Sequence, residues 1–148
     1  MNTVETRPQF RETITSFKSA DVDCQLEILW QAYDTLGQAL ASVVPVALLS
    51  QAVQQLIRQL GQVSREEKLA ILRDILAGAD TRFTHAYAAL NANMKLAFWH
   101  RLFSGRDWPG LSAMVACHSP SSQTQALLDR LNTMGLNERL NFLRQVLA

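Results

Sequence analysis

Histidine and acidic side chains could serve acid–base or metal chemistry, but their positions in this chain favour neither. His85, His100 and His118 are scattered, and no second His or Cys lies one helical turn from His100 to complete a metal pair. Acidic residues fall mainly at helix starts and on solvated faces, and neither a Gly-rich phosphate loop nor a Gly-x-Ser-x-Gly turn occurs. We therefore expect no enzymatic activity and no bound metal.

Cysteine usage and charge indicate the compartment and exclude some partners. Cys24 and Cys117 stand alone without Cys-x-x-Cys spacing, so we expect both to be reduced and structural. Residues 1–10 lack the apolar core of a signal peptide, and the longest apolar run, residues 39–49, is too short to cross a bilayer. These features predict a cytoplasmic protein without a transmembrane segment. The net charge of +1 gives no electrostatic footprint for nucleic acid.

Large aromatic side chains at helical spacing are the strongest candidates for a binding role. Trp30 and Tyr33 lie three residues apart on one helix face, and Phe98 and Trp99 lie on another helix. The pattern alone is typical of core packing, because large aromatic residues fill cores and each buries about 150–250 Å². A role in contacting a ligand needs support from elsewhere in the chain.

Helical spacing of apolar residues recurs throughout, and β-type alternation is absent. A long helix is predicted from Ser19 or Asp21 to about Val43, after which Pro45 breaks the chain or opens the next helix. Ser64-Arg65-Glu66-Glu67 is a capping box, and Gly78 marks the end of that helix. Further signals are N-caps at Asp80, at Asn91 or Asn93 and at Asn137, and a break marked by Gly105 and the stretch Asp107-Trp108-Pro109-Gly110. We expect one domain of seven to nine helices and no strand.

An internal repeat divides the chain into two similar halves. Glu67-Lys-Leu-Ala-Ile-Leu-Arg-Asp-Ile-Leu-Ala77 reappears as Glu138-Arg-Leu-Asn-Phe-Leu-Arg-Gln-Val-Leu-Ala148, and Ile28-Leu29-Trp30 more weakly parallels Ala97-Phe98-Trp99. Two similar helical sub-bundles would pack together, and the seam between them is a natural place for a long ligand. Chance similarity between amphipathic helices is the alternative, which identities in one ungapped register disfavour.

Two stretches resemble the orange carotenoid protein family. Asp23-Cys-Gln-Leu-Glu-Ile-Leu-Trp-Gln-Ala-Tyr33 is similar to its helix with a Leu-x-x-x-Trp-x-x-Tyr face. Asn93-Met-Lys-Leu-Ala-Phe-Trp-His-Arg-Leu102 is similar to its Pro-Asn-Ile-Lys-Leu-Gly-Phe-Trp-Tyr-Arg-Leu stretch. The register from Asp23 to Arg144 needs no net insertion, and the Asn-x-Lys-Leu-x-Phe-Trp motif is fairly specific.

This likeness covers the family's helical N-terminal half, so the chain resembles the helical carotenoid proteins, the stand-alone relatives of that half. The resemblance implies an all-α fold of two interleaved four-helix bundles with a pseudo-twofold internal repeat. It also implies a keto-carotenoid of the canthaxanthin or echinenone type, bound without covalent attachment along the seam between the bundles. We accordingly divide the chain into an N-terminal arm, residues 1–18, and a carotenoid-binding helical domain, residues 19–148.

The resemblance also implies which residues form the pigment site. Trp30 and Tyr33 are implied ring contacts, and Trp99 is the other principal aromatic residue. The further implied lining residues are Leu26, Leu29, Leu72, Ile75, Asn93, Leu96, Met114 and His118. Arg144 matches the arginine through which the family's helical domain contacts its second domain. Because the resemblance covers the helical domain alone, we expect Arg144 to be free for solvent or another partner.

Three departures from the family bear on the pose of the pigment. His100 replaces the family's Tyr after Trp99, and the connection over residues 104–119 shares little with the family. Phe103 stands where the family usually has Gly, which predicts a narrower tunnel at that end. These departures leave both the pigment pose and phycobilisome binding open.

The function implied by the resemblance is photoprotection. A polyene with a low-lying triplet state quenches singlet oxygen, and in some relatives it also takes excitation energy from phycobilisomes at the cytoplasmic side of thylakoid membranes. A second hypothesis is a carotenoid carrier or store that exchanges pigment with a C-terminal-domain relative. A third, from a different class, is a pigment-free helical interaction module.

Overall fold

The computed structural model of the chain describes residues 8–37, 39–117 and 121–148, in which helices are the only regular secondary structure. These described ranges contain eleven helices: α1 (Pro8–Ser19), α2 (Val22–Leu36), α3 (Ala39–Val43), α4 (Pro45–Leu48), α5 (Gln51–Leu60), α6 (Arg65–Ala77), α7 (Arg82–Ala88), α8 (Ala92–Ser104), α9 (Trp108–Met114), α10 (Ser121–Thr133) and α11 (Leu136–Val146). The predicted all-α class is confirmed. The longest helix has 15 residues, and no helix in these ranges has the length and apolar character needed to cross a bilayer.

The predicted long helix ending near Val43 is wrong in its second part. α2 ends at Leu36 because Gly37 adopts a φ of 54°, a left-handed conformation that glycine reaches without steric cost. The Gly37 N–H still donates to the Tyr33 carbonyl and closes the last turn. The short helices α3, α4 and α9 bring the number of helices above the predicted seven to nine.

Local capping signals place both ends of α6 and the start of α8 correctly. The Ser64 hydroxyl accepts a hydrogen bond from the Glu67 N–H, and Gly78 ends α6 with a φ of 70°. The Asn91 side chain caps α8 by accepting from the Met94 N–H. Two signals were wrong by one or two residues: Thr81 rather than Asp80 caps α7, and Gly135 rather than Asn137 precedes α11. The break predicted at Gly105 does follow α8, but Trp108, Pro109 and Gly110 form the first turn of α9.

The main helices pack as two groups of four. α1, α2, α10 and α11 form one group, and α5, α6, α7 and α8 form the other. The repeat pairs α2 with α8, α5 with α10, and α6 with α11, and the packing follows the same pairing. α2 packs on α10 as α8 packs on α5, and α2 packs on α6 as α8 packs on α11. The two groups are interleaved, because helices of one group pack on helices of the other. α2 of the first group contacts α6 of the second, and α11 of the first group contacts α8 of the second.

The N-terminal helix α1 occupies the place in the first group that α7 has in the second. α1 packs on α10 and α11, as α7 packs on α5 and α6. Phe10 and Phe17 are each 2% exposed, and the Phe17 ring meets the Phe142 ring edge-on at 5.8 Å. The division of the chain into an arm, residues 1–18, and a domain, residues 19–148, stays a prediction. The structure adds that Phe10 and Phe17, which fall in the predicted arm, are buried in the core.

The expectation that both cysteines are reduced is wrong, because the two form a disulfide. Cys24 near the start of α2 and Cys117 after α9 form a disulfide across a sequence separation of 93 residues. The segment that follows α9 returns to the first turn of α2 and brings the two side chains together. Spacing along the sequence carries no sign of such a contact, because it depends on tertiary packing.

Candidate functional site

Two of the three tryptophan-bearing helices, α2 and α8, meet at the interface of the two groups. We call the interface of α2, α6 and α8 the seam. The Tyr33 hydroxyl on α2 donates a hydrogen bond of 2.9 Å to the Leu96 carbonyl on α8. Burial raises the pKa of Tyr33 well above its usual value, so the phenol stays neutral and remains a donor. This bond fixes α2 against α8 in the middle of the predicted site.

Aliphatic side chains form the walls of the seam. Of the residues predicted to line it, those buried in the hydrophobic core are Leu26, Leu29, Leu72, Ile75 and Leu96. Ile75 is 6% exposed, and the four leucines have no exposed surface. The structure thus brings five of the predicted lining residues into one apolar core, drawn from three helices.

Aromatic rings gather at one end of the seam, where Phe103 is central. The Phe103 ring centroid lies 5.2 Å from that of Tyr33, 5.7 Å from that of Trp99 and 4.7 Å from that of Trp108. We call Tyr33, Trp99, Phe103 and Trp108 the aromatic cluster. Two of its members, Tyr33 and Trp99, are aromatic residues of the predicted pigment site, and Phe103 lies between them. The narrower tunnel end expected from a Phe in place of the family's Gly stays a prediction.

Trp99 is fixed by hydrogen bonds as well as by packing. Its indole N–H donates to the Tyr87 hydroxyl at 3.0 Å, and that hydroxyl donates to the Leu147 carbonyl at 3.0 Å. Burial raises the pKa of the Tyr87 phenol, and the bond from Trp99 partly opposes this shift. Trp99 therefore has a structural role in joining α8 to α7 and to the end of the chain, beside its predicted role in binding.

A small cavity opens at the aromatic end of the seam. It has a volume of about 210 Å³ and is lined by Trp30, Tyr33, Gly37, His100 and Phe103, together with Asp34 and Ser104. Trp30 is only partly buried, unlike the fully buried Trp99. Burial of His100, with a smaller effect of Arg101, lowers the pKa of this imidazole. A neutral imidazole and three aromatic rings make this cavity suitable for a flat, weakly polar group.

The other end of the seam is held by ties that the sequence did not reveal. Arg73 donates two hydrogen bonds to the Asp23 carboxylate, at 2.6 and 2.9 Å, and these bonds raise the pKa of the guanidinium. The same carboxylate accepts a bond of 2.8 Å from the Ala116 N–H. Together with the adjacent Cys24–Cys117 disulfide, these contacts fasten the segment after α9 to α2 and α6. We call this set of contacts the clasp.

Four further predicted site residues are not among the buried residues of the seam. Asn93 is exposed in the first turn of α8, and Met114 is partly buried at the end of α9. Arg144 is half-buried on α11. His118 lies outside the described residues. A pigment-contact role for Asn93, Met114 and His118, and a partner-contact role for Arg144, stay predictions.

Trp108 and Tyr87 are site residues that the sequence interpretation missed. The sequence pattern places Trp108 in a predicted break, although Pro109 directly after it is typical of a first helical turn and could have indicated α9. Tyr87 gave no periodic or motif signal for its bond to Trp99, since that bond depends on how α7 packs on α8. Trp108 packs on Phe103 and Tyr87 accepts a hydrogen bond from Trp99, so we include both in the candidate site.

The seam suits a long apolar ligand in its chemistry, and its side chains fill it. The cavity of about 210 Å³ is smaller than the roughly 300–1,000 Å³ common for ligand sites. A larger cavity, about 370 Å³, lies between α1, α2 and α10 and has several polar lining residues, away from the predicted site. A ligand that followed α2, about 22 Å long, would require wall side chains to move apart. Among the described residues, no cluster of His, Cys, Asp or Glu could hold a metal ion.

Comparisons with known proteins agree on one family. A family model described as "Orange carotenoid protein, N-terminal" matches residues 3–148. The chain is 28% identical to an "Orange carotenoid-binding domain-containing protein" of Nostoc sp., over 98% of this chain and 85% of that protein. It is 24% identical to an "Orange carotenoid-binding protein" of Synechocystis sp., over 92% of this chain but only 43% of that relative.

Solved structures show the same similarity in three dimensions. The Red Carotenoid Protein of Anabaena (Nostoc) sp. PCC 7120 binding canthaxanthin has a TM-score of 0.74 and 27% identity, covering 95% of this chain and 96% of that one. The same protein binding a mixture of carotenoids has a TM-score of 0.75 and 25% identity over the same shares of both chains. These similarities extend over nearly the whole length of both chains.

Proposed function

Because the chain belongs to the family of orange carotenoid protein N-terminal domains, we propose that it binds a keto-carotenoid non-covalently and serves in photoprotection. None of the relatives named above carries the name of an enzyme. The pigment we propose is of the canthaxanthin or echinenone type, since one similar structure is described as binding canthaxanthin. For the cell we propose a cytoplasmic location.

One observation carries this proposal: the matched helices α2 and α8 meet along an apolar seam that ends in the aromatic cluster. Tyr33 and Trp99, on different helices, lie against the same Phe103 ring. The residues that would hold the pigment are Leu26, Leu29, Trp30, Tyr33, Leu72, Ile75, Leu96 and Trp99, with Asn93, Met114 and His118 as further proposed contacts. Aliphatic walls with aromatic rings at one end fit a long, mostly apolar molecule with terminal rings.

Burial of apolar surface would drive binding, at roughly 25 cal/mol per Å² removed from water. The walls are aliphatic, so a polyene placed between them replaces apolar contacts by other apolar contacts. The bound pigment supplies a low-lying triplet state that takes energy from singlet oxygen and releases it as heat. The chain's own residues position the pigment and exclude water from it.

The decisive experiment is expression in a host that makes keto-carotenoids, followed by the visible absorption spectrum of the purified protein. We expect a coloured protein, and a colourless product from a host shown to contain free pigment would contradict the proposal. Trp30→Ala tests the site, because Trp30 is only partly buried and its loss should disturb folding little. We expect it to lower the pigment-to-protein ratio several-fold.

Phe83→Ala is the matched control for this test. Phe83 is a buried aromatic residue on α7, outside the seam. Its replacement should lower the free energy of unfolding by roughly 3 kcal/mol without a selective loss of pigment. Equal losses of stability and pigment in both variants would favour plain core packing for Trp30.

The finer function that we propose is quenching of singlet oxygen, with phycobilisome excitation as a second target at the cytoplasmic side of thylakoid membranes. Arg144, half-buried on α11, is the proposed partner contact. Singlet-oxygen emission and phycobilisome fluorescence, each with and without pigmented protein, test the two targets. Pigment transfer to an added C-terminal-domain relative, without either kind of quenching, would instead support the carrier hypothesis.

A further inference from the structure

Trp108 carries a buried hydrogen-bond donor that has no acceptor in the described part of the chain. The side chain is 3% exposed, and its indole nitrogen has no hydrogen-bond partner among the described residues. The indole meets the Phe103 ring edge-on at 4.7 Å, with an interplanar angle of 74°. A buried N–H without an acceptor is uncommon in folded proteins, because it has lost its hydrogen bonds to water.

The other polar hydrogens of the aromatic cluster and its neighbour Tyr87 are already committed. The Tyr33 hydroxyl donates to the Leu96 carbonyl, and the Tyr87 hydroxyl donates to the Leu147 carbonyl. The Trp99 indole donates to Tyr87. A ligand that brought an acceptor into this cluster would therefore find its free donor at Trp108.

We propose that Trp108 donates a hydrogen bond to a ring carbonyl of the pigment and makes this chain selective for ring-keto carotenoids over hydrocarbon carotenes. The inference rests on the proposed pigment function. An end ring that took the position of the Phe103 ring would be a direct neighbour of the Trp108 ring. A ketone oxygen only accepts and an indole N–H only donates, so the two are complementary. A carotene ring would leave the donor unsatisfied.

The test compares canthaxanthin, with a carbonyl on each ring, with β-carotene, which has none. We expect the wild-type chain to bind canthaxanthin more tightly by roughly five- to tenfold, the range of one hydrogen bond to a neutral group. Trp108→Phe should abolish that preference, so that the ratio of the two affinities falls to about one. The carbonyl stretching band of bound canthaxanthin should lie at lower frequency in the wild type than in this variant. Trp108→His keeps a ring N–H and should retain part of the preference.

Trp99→Phe is the matched control, since it removes an indole N–H that already has a partner. It should keep the keto preference but lower the melting temperature of the pigment-free protein more than Trp108→Phe does. A keto preference that survives in Trp108→Phe, or a wild type that binds both pigments equally, would overturn the inference and leave the proposed function intact. Retention of neither pigment by the wild type would instead contradict the proposed function.

Discussion

Phe103 joins three aromatic rings at the end of the seam, and its side chain fills space next to the cavity of about 210 Å³. We expect Phe103→Ala to enlarge this cavity and to increase pigment uptake. We also expect it to lower the free energy of unfolding by about 1–3 kcal/mol, less than for a fully buried Phe because Phe103 is partly exposed. Uptake is measured from the absorption spectrum and stability from urea unfolding.

Phe98→Ala is the control for the Phe103 prediction. Phe98 is fully buried on the same helix and packs against Tyr87 and Trp99. Its loss should cost more stability, since no part of this ring reaches solvent, and should bring no gain in pigment uptake. Lower uptake by Phe103→Ala than by the wild type would show that Phe103 supports the pigment rather than competing with it.

His100, in the wall of the same cavity, should make stability depend on pH. Burial lowers its pKa below the 6.5 of the unfolded chain, so the folded state favours the neutral ring. As pH falls below about 6.5, the unfolded state takes up the proton first, and the free energy of unfolding decreases. The decrease stops once the folded state is also protonated, below its own pKa.

The measurement for His100 is urea unfolding of the wild type and of His100→Gln between about pH 5.5 and 7.5. The difference between the two proteins isolates His100 from the carboxylates, which both share. We expect the wild type to lose stability toward acid relative to the variant. Parallel profiles, or a wild type that gains relative stability at low pH, would contradict the shift.

At the scale of elements, the sequence predicts what depends on neighbours along the chain. Helical periodicity and the caps at Ser64 and Asn91 identify α6 and α8, because a cap requires only three or four consecutive residues. The end of α2 at Gly37 was missed, since an apolar stripe continues past it to Leu40. The hydrogen bond from Trp99 to Tyr87 could not be predicted from the sequence, because it joins two separate helices.

The candidate site shows the same division. The aliphatic wall residues could be predicted from the apolar helix faces together with the family resemblance. The structure gathers these residues, Leu26, Leu29, Leu72, Ile75 and Leu96, in one core. The role of Trp108 could not be read from its position after a Gly–Arg–Asp stretch, because its burial depends on how α9 packs on α6 and α8. The clasp likewise joins Asp23 to Ala116, residues that no local pattern relates.

The Cys24–Cys117 disulfide in the clasp should contribute strongly to stability. It closes a loop over a sequence separation of 93 residues, and restricting an unfolded chain of about this length contributes roughly 4–5 kcal/mol in the chain-entropy model. We expect a dithiol reductant to lower the urea midpoint markedly, with mass spectrometry confirming the reduced state. The Cys24→Ser/Cys117→Ser double variant should have the lower midpoint already and should not respond to the reductant. A wild type that is equally insensitive would contradict the contribution of the disulfide.

For the whole molecule, the interleaving of the two helix groups makes the halves depend on each other. The first group takes α1 and α2 from the start of the chain and α10 and α11 from its end. α11 also packs on α8 of the second group, and α2 packs on α6. A disturbance in either group therefore reaches the seam, where a pigment would have to be held. We expect a single cooperative unfolding transition for the described core rather than two.

The N-terminal helix α1 gives the sharpest test of this dependence. Phe17→Ala should lower the free energy of unfolding by about 3–5 kcal/mol, because the Phe17 ring is buried and packs edge-on against Phe142. Arg11→Ala, at an exposed position of the same helix, should change it by less than about 0.5 kcal/mol.

A chain that begins at residue 20 should lose more stability than Phe17→Ala, since it exposes the faces of α10 and α11 that α1 covers. It should also bind less pigment, because α11 packs against α8, which carries Trp99. Urea unfolding and the absorption spectrum of the shortened chain measure both effects. Wild-type stability and colour in that chain would mean that residues 1–19 are dispensable and that α1 is not needed to close the first group.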